Sequence, residues 1–143
     1  MIAAVFDVDR TLLPETTAER LFLRFLIEQR ALGARAALET VRFSLLHGWP
    51  NPVREVRRHR PYLRGQLSLA MAEMGNRCFE QVIQPRLAAA GIERLREHHA
   101  RGHRTVLLSG SLPFVLQPLA AAVGADDTIC SRMEERNGRL LGR

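Results

Sequence analysis

The sequence predicts an α/β fold: a parallel sheet with a helical insertion behind its first strand. Two observations predict it. Three short apolar runs of strand length, residues 2–8, 104–108 and 127–131, are separated by stretches of helical spacing, the order expected of a parallel α/β core. Between the first two runs, residues 16–84 show no strand-like alternation at all. That block is too long for a simple crossover helix, so it reads as an insertion.

Each element follows from its local residues. Residues 2–8 are apolar and β-branched and end in Asp7-Val8-Asp9, which suits a strand buried on both faces. Pro14 marks the loop that leaves it. Thr16 or Thr17 can cap a helix, in which Leu21, Phe22, Phe25 and Leu26 recur at helical spacing until Gly33 breaks it. A second amphipathic stretch covers residues 34–46, and Trp49-Pro50-Asn51-Pro52 reads as a turn. A basic segment follows, interrupted by Pro61, and then a helical stretch from Ser68 to about Ile83. Residues 91–101 form a further helix, stopped by Gly102. Ser111 can cap the next helix, with Pro113 in its first turn and Gly124 at its end. Asn137-Gly138 centres a hairpin over residues 133–141.

Composition narrows the function classes. A chain of 143 residues can hold one domain with a real core, or a small core and an inserted subdomain. No apolar run approaches the roughly 20 residues of a membrane helix, and the short apolar start lacks a basic leader region. Cys78 and Cys130 sit far apart in no metal-binding spacing, which points to reduced thiols and a cytoplasmic setting. The 21 Lys and Arg positions are all Arg, so no step can use a lysine. A net charge of +6 is by itself weak evidence for nucleic acid.

The chemistry-bearing positions lie where the strands end. Asp7 and Asp9, at i and i+2 of a strand end, are expected to leave one face. Two carboxylates there can hold Mg²⁺ together with a substrate phosphate, because ligands of open α/β sheets bind beyond the carboxyl ends of the strands. The second strand delivers Ser109 to the same edge. The turn Ser109-Gly110-Ser111 precedes a helix N-terminus, whose free N–H groups favour an anion, and Gly110 permits close backbone approach. An acid pair at one strand end and an anion cradle at the next describe a phosphoryl-transfer site.

These residues carry a specific likeness. Residues 4–12, with Asp7-Val8-Asp9-Arg10-Thr11, resemble the first motif of the haloacid dehalogenase superfamily, an apolar strand followed by Asp-x-Asp-x-Thr. Residues 106–111, ending in Ser109, resemble its second motif. The helical block resembles the cap inserted after the first strand in the phosphoserine-phosphatase-like branch, and the terminal hairpin is similar to that branch as well. The resemblance implies a Rossmann-like core from residues 1–15 and 85–143 and a helical cap from residues 16–84, lying over the carboxyl edge of the sheet. It implies that Asp7 is the nucleophile that forms an aspartyl-phosphate, and that Asp9 protonates the leaving oxygen and then activates water. Mg²⁺ is then held by the Asp7 carboxylate and the Asp9 backbone carbonyl. Thr11 supports the loop, while Ser109 and the Gly110 N–H bind phosphoryl oxygens. The implied substrate is a small phosphorylated metabolite rather than a nucleic acid or a membrane.

The departures leave other readings open. The family uses a basic third motif and a late acidic motif, and neither is assignable here, so a C-terminally truncated or split reading frame is expected, with little turnover of its own. A catalytically incomplete binding module is the second reading. The third is a basic anion- or nucleic-acid-binding protein, for which Arg54, Arg57, Arg58, Arg60 and Arg64, with His59 and Tyr62, are the candidates; as the solvated face of a cap helix they need no function. Glu15 is a weaker candidate for substrate contact. His99 and His103 have i, i+4 spacing, but Gly102 lies between them and no third ligand is evident. Cys78 sits in a helical pattern and reads as core.

Overall fold

The structure, a computed structural model, describes residues 2–47 and 59–142. The turn expected at residues 49–52 and Arg54, Arg57 and Arg58 fall outside that range. Contacts divide the chain into two compact units, one of residues 1–25 and 72–132, the other of residues 26–71 and 133–143. This division by packing cuts at other points than the division by role made from the sequence. In particular, the terminal hairpin packs with the middle of the chain.

The first unit is built on three parallel strands in the order β1 (Ala3–Asp7), β2 (Arg104–Ser109) and β3 (Asp127–Cys130). Asp7 lies opposite Leu108, and Leu108 opposite Ile129. The strands stop together because the acid-rich and glycine-rich turns begin at one edge. Helices α4 (Ala89–Ala100) and α5 (Pro113–Val123) bury one face, where Thr105 and Leu107 are fully shielded. The expectation of a first strand buried on both faces is corrected here. Exposure alternates along β1, and Val5, Leu108 and Ile129 stand 57%, 41% and 56% exposed. Alternation of side chains puts these three on the same, open face.

Helix α1 (Ala18–Glu28) opens as the sequence reading expects. Thr17 is its cap, its hydroxyl accepting the Arg20 N–H at 3.2 Å. Phe22, Phe25 and Leu26 are buried. Helix α3 (Ser68–Cys78) continues through a π turn, Phe79–Ile83, into a 3₁₀ turn, Gln84–Arg86. In the first unit α3 meets α5 at Gly75, where an added Cβ would fall on the Phe114 carbonyl. That carbonyl is the acceptor four residues before Pro118, which has no N–H to serve it. Glycine thus allows close approach at a place inside α5 where a backbone acceptor is left to its neighbours.

Ser111 does not cap α5, which corrects the sequence reading. Leu112 occupies the cap position without a side-chain bond, and Ser111 Oγ is buried with no partner among the described residues. Pro113 at the first helical position and Gly124 in the left-handed region at the end are as expected.

The second unit holds α2 (Ala34–His47), a 3₁₀ turn (Pro61–Leu63) and the hairpin β4 (Glu135–Arg136) and β5 (Arg139–Leu140). Asn137 and Gly138 both have positive φ, the requirement of the two-residue turn read from the sequence. Leu140 is buried and exchanges backbone bonds with Gly65 and Gln66. At the end of the basic segment Arg60 and Tyr62 are buried rather than forming a solvated face, while Arg64 pairs with Glu39 at 3.2 Å. Among the described residues of 16–84 no strand pairs with another; Leu67 makes one isolated bridge to Arg139.

Candidate active site

The loop after β1 is built around two buried leucines. Val8 extends the pairing with β2 through its N–H to the Leu108 carbonyl at 3.0 Å. The chain then turns back, the N–H of Leu13 reaching the Val8 carbonyl at 2.9 Å. Leu12 and Leu13 are fully buried, which anchors the turn from below. The Ala88 N–H donates to the Leu12 carbonyl at 2.9 Å, and Gly91 packs where a Cβ would lie 2.6 Å from Leu12 Cδ2. Arg10, directly after Asp9, has φ 66°, a conformation uncommon for a residue with a Cβ and found preferentially at functional sites.

This loop presents the sequence-predicted acids in different ways. Asp7 ends β1 with an exposed side chain, and its Oδ2 accepts the Thr11 hydroxyl at 2.9 Å. Asp9 lies beyond the strand, so its position comes from the turn rather than from strand alternation. Both of its oxygens are held: Oδ1 accepts the Ala18 N–H at 2.8 Å and Oδ2 accepts the Ser109 hydroxyl at 2.6 Å. Ala18 is the first residue of α1, so Asp9 serves an orphan donor at a helix N-terminus, where a negative charge is favoured. Sequence reasoning missed this contact, because nothing in the spacing of Asp9 and Ala18 announces it.

Ser109, buried, also accepts the Ser111 N–H at 3.0 Å. One hydrogen-bonded chain therefore runs from the α5 approach through Ser109 and Asp9 to α1. Thr11 supports the loop through Asp7. Gly110 has an ordinary φ, and a Cβ there would meet nothing within 4 Å. Among Asp7, Asp9, Thr11, Ser109 and Gly110, side-chain bonds join Asp7 with Thr11 and Asp9 with Ser109.

The weaker candidates fall elsewhere. His103 faces His98 rather than His99, Nδ1 to Nδ1 at 2.9 Å, because Gly102 turns the chain at φ 71°. Among the described residues no three His, Cys, Asp or Glu side chains converge on a point. Cys78 is fully buried, and burial pushes its thiol up to about 12, so it is an inert core group. Cys130 is also a free thiol.

Comparison with known proteins is decisive for the family. Residues 4–143 match the profile of the haloacid dehalogenase-like hydrolases. The chain belongs to that family. The haloacid dehalogenase-like chain is 27% identical over 137 residues to the inhibition of morphological differentiation protein of Streptomyces azureus, spanning 92% of this chain and 49% of that protein. In structure it resembles a protein of unknown function from Bordetella pertussis Tohama I, with a TM-score of 0.77, 25% identity and 99% and 65% of the two chains covered. A phospho-aspartyl intermediate analogue of phosphoserine phosphatase shares the fold, with a TM-score of 0.58, 16% identity and 99% and 61% coverage. The haloacid dehalogenase-like chain thus spans about half of the curated relative and less than two thirds of each of these structures. No helix among the described residues is long and apolar enough to cross a membrane.

Proposed function

We propose that this chain carries the nucleophile half of a Mg²⁺-dependent phosphomonoester hydrolase, of the phosphoserine-phosphatase-like branch, that works through an aspartyl-phosphate. The observation that carries the reading is the 2.6 Å bond between Ser109 and Asp9. It joins the second-strand hydroxyl to the first-strand loop, beside a nucleophile candidate that is exposed at the same sheet edge. Under this reading residues 1–15 and 85–143 do the chemistry and residues 16–84 form the cap. The substrate is a small phosphorylated metabolite, and the two free thiols suit a cytoplasmic setting.

In the first step an Asp7 carboxylate oxygen attacks phosphorus. The new P–O bond to Asp7 forms as the ester P–O bond breaks, and Asp9 gives a proton to the departing oxygen, which leaves as an alcohol. In the second step Asp9 takes a proton from water as the water oxygen attacks phosphorus. The bond to Asp7 breaks, releasing phosphate and restoring the carboxylate. Thr11 fixes the attacking carboxylate through its Oδ2. Under this reading the Ser109 hydroxyl, turning from Asp9 Oδ2, and the Gly110 backbone N–H would bind phosphoryl oxygens at the approach to α5, as an oxyanion site does.

The donor set fits Mg²⁺. Asp7 is an exposed hard oxygen ligand, and a cation that keeps several waters needs only one or two carboxylates. Asp7 and the Asp9 backbone carbonyl would hold it, and the bound ion would neutralise charge on the transferring phosphoryl group.

The test is mass spectrometry of acid-quenched protein after incubation with p-nitrophenyl phosphate and Mg²⁺, together with phosphate release. The peptide holding Asp7 should gain the mass of one phosphoryl group, and Asp7→Asn should remove that adduct together with the small Mg²⁺-dependent release the chain shows. Turnover that survives Asp7→Asn would overturn the proposal.

A further inference from the structure

Helix α2, in the second unit, turns its apolar side chains to solvent and its polar ones inward. Leu38, Val41, Leu45 and Leu46 are all exposed, Leu45 by 81%. Leu38, Val41 and Leu45 recur at helical spacing and form one stripe. Thr40 and Ser44 are half-buried and spend their hydroxyls inside the helix, on the Ala36 and Thr40 carbonyls at 2.8 and 2.9 Å. Glu39, the one acid of α2, is taken by Arg64. A helix that merely covers a core points its polar side chains to water. The reversal in α2 gives the fold nothing and leaves a contiguous apolar face, which marks an interaction surface.

The charge on that face selects the partner. Arg35 and Arg42 are exposed, and with about 3.6 residues to a turn they fall between Leu38 and Leu46 around the helix. Neither guanidinium pairs with another described residue. The face therefore offers apolar area and positive charge and no acid. A second copy of the chain, with a net charge of +6, would set arginines against arginines with no carboxylate to receive them. A closed protein groove would bury guanidinium groups that stand among leucines, each then needing an acid. A lipid surface suits the arrangement, because arginine stems lie along apolar chains while their heads bend up to phosphates. At 14 residues α2 is about 21 Å long, too short to cross a hydrocarbon layer of about 30 Å, so it would lie flat.

We propose that the outward face of α2 docks the protein on an anionic phospholipid bilayer. Leu38, Val41 and Leu45 enter the boundary between headgroups and acyl chains, and Arg35 and Arg42 take lipid phosphates beside them. The inference is independent of the phosphatase reading.

The experiment is co-sedimentation of the chain with two kinds of vesicle, phosphatidylcholine alone and an equal mixture of phosphatidylcholine and phosphatidylglycerol. The free protein is run in parallel on size exclusion with light scattering. The variants are Leu38→Ser/Leu45→Ser and Arg35→Gln/Arg42→Gln, all at exposed positions. Thermal unfolding confirms that they fold, and the arginine variant, which keeps every apolar side chain, decides the matter if the leucine variant unfolds. The chain should bind the mixed vesicles at least about tenfold more tightly than the neutral ones. Each variant should lower partition onto the mixed vesicles about tenfold, the scale of two charges or two leucines at an anionic surface, and raised salt should weaken the unaltered chain in the same direction. Equal partition onto the two kinds of vesicle, or partition that either folded variant leaves unchanged, would overturn the proposal. So would a dimer that the leucine variant dissolves, since a second copy would then be the occupant.

Discussion

At the scale of single residues, the site is set by which side chains already have partners. Asp9 has both oxygens engaged and Asp7 only one, so the two acids of one short motif are held differently. The side chain with accessible oxygen faces solvent, and the doubly held one is fixed in orientation. Under the phosphatase reading, Gly110 would separate folding from binding. Its φ is ordinary and the space beside it is open, so the fold does not demand glycine. Gly110→Ala should leave the thermal midpoint within about 2 °C, since a tolerated substitution changes stability by only a few tenths of a kcal/mol. Under the proposed function it should weaken inorganic phosphate binding severalfold, because a methyl group would stand beside the proposed anion cradle. Calorimetric titration with phosphate checks this, and unchanged affinity would remove Gly110 from the cradle.

At the scale of elements, two fastenings hold the sheet and its helices in register. One is the approach of α3 to α5 at Gly75, described above. The other closes the start of β2. The Asp126 carboxylate accepts the Thr105 N–H at 2.7 Å and the Thr105 hydroxyl at 2.9 Å, and Thr105 is fully buried. These two bonds, the backbone one first, with smaller help from His99 and Arg104, hold the Asp126 carboxyl below its ordinary 3.8. A lowered folded-state value means that the ionised form stabilises the fold above that ordinary value and that this contribution is lost as pH falls through the folded value. Asp126→Asn should therefore flatten the acid limb of the stability profile below 3.8 and leave its alkaline limb unchanged. Urea unfolding of both proteins across the acid range measures it. Parallel profiles would show that Asp126 contributes no proton linkage.

At the scale of the whole molecule, the first unit has a sheet covered on one side. Parallel sheets bury both faces, yet Val5, Leu108 and Ile129 are exposed while Leu107 on the other face is not. The asymmetry predicts mutational costs. Leu107→Ala should cost about 2–5 kcal/mol, as deletions in a packed core do. Val5→Thr and Ile129→Thr should each stay within about 0.5 kcal/mol, as for exposed positions. Denaturant titration of this chain decides it, and a large cost at Val5 or Ile129 would mean that the face is covered in solution.

The sequence by itself determined the strands, the helical insertion and the family motifs. Strand runs, the Thr17 cap, Pro113, Gly124 and the Asn137-Gly138 turn are local, each fixed by the backbone preferences of a few adjacent residues. The shared edge of Asp7 and Ser109 was legible for the same reason, since both end apolar runs that must share one sheet. Tertiary structure alone decided the rest. Asp9 with Ser109 and Ala18, and His98 with His103, are meetings set by how turns and helices pack. Ser111, a good cap by its position, caps nothing because the chain places its hydroxyl in the interior. The open sheet face was equally hidden, because an apolar strand sequence reports that burial is favourable, and only packing decides which face receives a partner.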